Sequence, residues 1–146
     1  MCRLQFRGSI TSTTCPGARA ETATPKLDEW NERRRRIADQ YLSALSDLRG
    51  LILPYEPTWA DVIWHLYVIR HSARDKLSER LVYAGVHTMI HYPIPPQLQQ
   101  AYAELGYREG DFPVAEAIHC DVLSLPIGPQ LSAESVVQVS RCLESI

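Results

Sequence analysis

The chain predicts an α+β domain, a short-stranded sheet covered by helices and entered through one long N-terminal linker helix. Three observations carry this. Apolar residues recur every three or four positions from Leu27 to Leu48, two β-branched and aromatic runs (Val62–Arg70 and Val86–Tyr92) bracket a helical stretch, and another amphipathic helix follows Ser132. The 146 residues suffice for one core, and 45% hydrophobic with 22% charged residues is ordinary globular composition.

Met1–Pro25 is rich in Ser, Thr, Pro, Gly and Arg, with no acidic residue before Glu21, and reads as a disordered segment. It has no apolar stretch of the kind a secretory signal needs. Its basic, hydroxyl-rich composition also permits an organellar transit peptide, the alternative to a simple tail. From Lys26 the pattern turns helical through Leu27, Trp30, Ile37, Tyr41, Ala44, Leu45 and Leu48. Gly50 ends that helix, and Leu51–Leu53 before Pro54 reads as a strand.

Tyr55–Asp61 is a loop by its prolines and polar residues. Ala73–Ala84 between the two strand-like runs places Leu77, Leu81 and Ala84 at helical spacing, and Gly85 stands where a C-cap glycine belongs. Pro93, Pro95 and Pro96 stop the second run, because proline has no N–H for a ladder. Gln97–Leu105 predicts a short helix capped by Gly106, Tyr107–Asp111 a turn, and Phe112–His119 another short helix. Val122–Leu125 predicts a strand and Pro126–Gln130 a loop. Ser132 then N-caps a helix to Leu143 that turns Val136, Val139, Ser140 and Leu143 inward. About four short strands result, with a pairing order the pattern leaves open.

Composition excludes several classes of function. No apolar run approaches the roughly 20 residues of a membrane helix, so a soluble protein is expected. A net charge of −2 supplies no basic field for nucleic acid. Cys2, Cys15, Cys120 and Cys142 form no CxxC pair, which favours reduced, cytoplasmic thiols over a disulfide framework or a zinc site. Arg33–Arg36 could mark a nucleic-acid patch, but on a helix the four point about 100° apart and are interleaved with Glu29, Glu32 and Asp39. A solvated, salt-bridged face is the reading preferred.

His87 and His91 have the spacing of a zinc HExxH motif, yet Thr88 replaces the glutamate and VHTMIHY favours a strand, so no metal is expected. There is no GxSxG elbow, no GxxxxGK[ST] loop and no GxGxxG after a strand. The chain has two lysines, Lys26 opening the first helix and Lys76 beside Asp75 and Glu79.

The runs WHLYVIR, ARDKLSERLVYAGVHTMIHYPIPPQLQQAY, GDFPVAEA and LSLPIGPQLS, with WNERRRRIADQY upstream, resemble the C-terminal domain of the DegT/DnrJ/EryC1/StrS family. These are pyridoxal-phosphate-dependent nucleotide-sugar aminotransferases of fold type I. The resemblance runs from about Lys26 to Ile146 and covers about the last third of a typical member. It divides the chain into a non-family segment, 1–25, and a small C-terminal domain, 26–146, and implies N-terminal truncation, as after an altered upstream reading frame.

By the same resemblance, the IHYP segment runs near the active-site mouth, making His91 and Tyr92 substrate-edge candidates. Gln97 stands where members often carry histidine in the pattern P-x-H-x-Q. Glutamine can bind a sugar hydroxyl but cannot titrate near neutrality. The implied parent is a homodimer in amino-sugar and polysaccharide biosynthesis that uses pyridoxal phosphate to aminate a keto-sugar nucleotide. Neither Lys26 nor Lys76 matches the family's Schiff-base lysine, so this chain alone is expected to hold no cofactor and to be inactive. The alternative is a non-catalytic module that binds a partner supplying the missing domain through the apolar face of the Leu27–Leu48 helix.

Overall fold

The computed structural model describes residues 17–144, with side chains described from Lys26. Cys2, Cys15 and the segment before Gly17 lie outside the described residues. Helix α1 spans Gly17–Leu45. It begins earlier than the expected Lys26, so residues 17–25 are helical rather than part of a tail. Pro25, a natural boundary because it lacks an N–H, lies within the helix.

Among the described side chains of α1, those that reach the core lie toward its C-terminal end. Ile37, Ala38, Tyr41 and Leu45 are buried, one stripe facing Val136, Val139, Ser140 and Leu143 of α4 (Ala133–Glu144). Toward the other end Leu27 and Trp30 stay 49% and 44% exposed. α1 stops at Leu45, short of the predicted Leu48, and Gly50 at φ +83° turns the chain into the first strand.

Three strands form one antiparallel sheet in chain order: β1 (Leu51–Ile52), β2 (Tyr67–His71) and β3 (Val122–Leu125). Leu51 lies opposite His71, and Tyr67 opposite Leu125. The strand expected over Val62–Arg70 begins only at Tyr67. Upstream, the His65 N–H donates to the Ile63 carbonyl at 2.9 Å, closing a three-residue turn that consumes a donor a ladder would need.

The expected strand Val86–Tyr92 is likewise reduced to one bridge. Met89 exchanges two backbone hydrogen bonds with Ser124 of β3, at 2.7 and 3.2 Å, and pairing goes no further before the prolines. The sheet thus has three strands and a bridge, not four strands. Helix α2 (Arg74–Tyr83) buries Leu77 and Leu81 as expected. It ends in a Schellman motif: Gly85 at φ +78° donates to Val82 O at 2.9 Å, Val86 donates to Leu81 O at 2.8 Å, and both Leu81 and Val86 are buried.

Gln97–Leu105 forms two 3₁₀ segments, Pro96–Leu98 and Gln100–Leu105, instead of one α-helix. Neither buries a residue, and so short a segment has little to hold an α-helix without a covered face. Helix α3 (Pro113–Asp121) starts with proline at its first position, and Glu116 accepts from the Phe112 and Gly110 N–H groups. The Ser132 hydroxyl accepts from the Ser135 N–H at 3.2 Å, the predicted cap of α4.

At the centre, Tyr67 lies between Tyr41 and Trp64, with ring centroids 5.1 and 5.3 Å away. The Tyr41 hydroxyl donates to Pro126 O at 2.9 Å. Burial pushes the Tyr67 hydroxyl up to about 12, and the charge of Asp39 acts in the same direction. Tyr41 is raised too, mainly by burial and then by Tyr67.

A folded value above the unfolded one means stabilisation that is complete below pH 10.0 and lost as pH rises toward about 12. Tyr67 alone should account for a loss of about 3 kcal/mol across that window. Urea unfolding measured below and above it should show this fall, and Tyr67→Phe should reduce it by the Tyr67 share while leaving the part due to Tyr41.

Candidate functional site

The segment after α2 carries the residues singled out for substrate contact. Val86 anchors it in the core and the Met89 bridge ties it to β3, so the next residues project from the sheet edge. His91 is half-buried, and its Nδ1 lies 2.9 Å from the Ser124 hydroxyl. The rings of His91 and Tyr92 meet edge to face at 5.9 Å, across a cis peptide bond, and Tyr92 is 60% exposed. Sequence neighbours thereby form one edge with a buried ring nitrogen at its base.

Gln97 lies on the next 3₁₀ segment and makes no hydrogen bond to either ring among the described residues. Its Nε2 is buried and unpartnered there, while the neighbouring Gln99 amide donates to Ile94 O at 3.0 Å and holds the proline loop closed. The structure therefore joins His91 to Tyr92 and leaves Gln97 apart.

His87 is exposed and does not share a strand face with His91, because the strand is absent. Among the described residues no three His, Cys, Asp or Glu side chains gather as a metal ion would need. Thr88 instead shares a hydrogen bond of 2.9 Å with Ser78 on α2, fastening the segment a second time.

Sequence reasoning missed Ser124. The available signal is the run Val122–Leu125, where one hydroxyl interrupts an apolar strand whose four residues are all buried. A buried hydroxyl needs a partner, and its partner here is a ring in the candidate site.

The arginine run is absorbed locally. Arg33 pairs with Glu29, Arg36 with Glu32, and Arg35 with both Glu32 and Asp61, while Arg34 donates weakly to Asn31. Hydrogen bonds from Arg35 and Arg36 hold the Glu32 carboxyl below its usual range. Lys76 is exposed on α2, and its neighbour Asp75 pairs with Arg74.

A pyridoxal-phosphate site needs a lysine amine facing the cofactor, an acid at the pyridine nitrogen and donors around the phosphate. Lys26 and Lys76 both stand exposed on helix surfaces, so the residues present here do not fit that cofactor.

The chain belongs to the DegT/DnrJ/EryC1/StrS aminotransferase family, which matches residues 17–144 and so reaches upstream of Lys26. It is 50% identical over 119 residues to the erythromycin biosynthesis sensory transduction protein EryC1 of Saccharopolyspora erythraea, covering 82% of this chain and 32% of that protein. It is 43% identical over 113 residues to the dTDP-3-amino-3,4,6-trideoxy-alpha-D-glucose transaminase of Streptomyces venezuelae, covering 77% of this chain and 30% of that protein.

The fold superposes on S. venezuelae DesV, solved in complex with a ketimine intermediate, with a TM-score of 0.84 and 39% identity. That match covers 88% of this chain and 34% of DesV. The chain therefore spans about a third of the length of the relatives it matches. None of its described helices is long and apolar enough to cross a membrane.

With Arg33, Arg35 and Arg36 already paired with acids, the α1 face should show no salt-dependent affinity for a duplex oligonucleotide by fluorescence anisotropy. Binding that weakens with salt, and weakens further in the double variant Arg33→Gln, Arg36→Gln, would reverse this reading.

Proposed function

We propose that this chain is the C-terminal small domain of a pyridoxal-phosphate-dependent aminotransferase that aminates a keto-sugar nucleotide, serving amino-sugar and polysaccharide biosynthesis. The carrying observation is the fold match to DesV, which covers 88% of this chain but only 34% of DesV. Residues 26–146 form the small domain in this reading. The other two thirds of such an enzyme would supply the cofactor site, the Schiff-base lysine and the contacts of a cytoplasmic homodimer, and residues 26–146 without them are inactive.

Its own contribution is at the sugar. His91 and Tyr92 offer a ring N–H or nitrogen and a phenol to substrate oxygens, and Gln97 offers its amide oxygen, its Nε2 being enclosed. Gln97 can hold a hydroxyl but cannot move a proton near neutral pH.

A second reading, a non-catalytic module docked on a separate protein that carries the missing domain, draws on the half-exposed Leu27 and Trp30 of α1. In the expected result, a full-length relative retains this chain in a pull-down only under that second reading.

The decisive experiment replaces the matching C-terminal segment of the S. venezuelae transaminase with residues 26–146 of this chain. An active chimera whose kcat/KM for the nucleotide sugar falls roughly two- to tenfold in His91→Ala, the worth of one hydrogen bond, is expected. A folded chimera that binds pyridoxal phosphate yet transfers no amino group would overturn the assignment.

A further inference from the structure

Two polar side chains are buried in this core, Ser124 and Ser140, at 4% and 3% exposure. Ser140 turns its hydroxyl back to its own helix, donating to Val136 O at 3.0 Å. Ser124 instead reaches across to His91, 33 positions away in the chain. Its neighbours Val122, Leu123 and Leu125 are apolar and buried, and an alanine or valine would fill the same strand position without asking for a partner.

The backbone at Ser124 is held from both edges. On one side it pairs with Val68 of β2, and on the other with Met89, two residues before His91. The hydroxyl is thus a fixed point against which the imidazole rests. His91 Nε2 has no protein partner among the described residues and is not among their buried, unsatisfied atoms.

We propose that Ser124 is a positioning residue that fixes His91 in the tautomer with its proton on Nε2, presenting an N–H donor to a phosphate, carbonyl or hydroxyl oxygen of the substrate. The hydroxyl hydrogen decides the tautomer. The Ser124 oxygen has no other hydrogen-bond partner among the described residues, so if it only accepted from Nδ1–H its own hydrogen would be buried without an acceptor. Donating that hydrogen to Nδ1 satisfies both groups and leaves the ring proton on Nε2. The role assigned to His91 at the substrate rests on the function proposed above. The Ser124–His91 geometry does not.

The test has two independent arms. In the 146-residue chain, side-chain 15N chemical shifts of neutral His91 should report the Nε2–H tautomer, a tautomer mixture in Ser124→Ala, and recovery in Ser124→Thr. An Nδ1–H tautomer in the wild type, or the same tautomer in Ser124→Ala, would overturn the proposal whatever the enzyme does.

In the chimeric enzyme, Ser124→Ala and His91→Ala should each raise KM for the nucleotide sugar roughly two- to tenfold, and the double variant should add little to either. Additive effects would overturn the coupling. An inactive chimera counts against the aminotransferase reading alone, because the ring shifts are measured without it.

Discussion

The placement of β3 is the constraint on which the rest depends. Val122–Leu125 is buried along its whole length, pairs with β2 on one edge and receives Met89 on the other. Removing four residues' backbone groups from water requires partners for them, and those partners fix where the β2 strand and the post-α2 segment must lie. Leu123 and Leu125 join the core cluster with α2 and α4 residues, so the strand also sets the level of the helices. His91 inherits its position from this strand through one bridge and one hydroxyl.

The surface divides into parts the chain satisfies itself and parts it leaves open. Arg33, Arg35 and Arg36 of α1 are paired within the helix and with Asp61, and Arg70 and Arg74 bind Asp121 and the His119 and Val122 carbonyls around the end of α3. Trp59, Tyr55, Tyr83 and Val114, by contrast, are 87%, 83%, 97% and 73% exposed. Scattered apolar exposure of this kind is normal on a protein surface.

Elements with dense local signals were legible. The α2 helix and its glycine stop, the strand Val122–Leu125 and the Ser132-capped final helix all follow from periodicity and caps, which act over a few residues. Val62–Arg70 and Val86–Tyr92 carried strand composition yet extended only in part, because strand formation requires a partner edge that local composition does not report. α1 began before Pro25 for a related reason: a proline is a bias against helix, not a veto. His91 and Tyr92 were singled out through a family motif, and Ser124 was not, since its partner is 33 residues away and nothing local announces the pair.

By itself the sequence determined the α+β class, the family and the inward face of the final helix, all of which depend on residue identity and short-range spacing. Only the tertiary structure decided the strand order, the single Met89 bridge and the hydroxyl beneath His91. Those depend on which distant backbone edges meet, and burial weights that choice because an enclosed backbone group without a partner is costly.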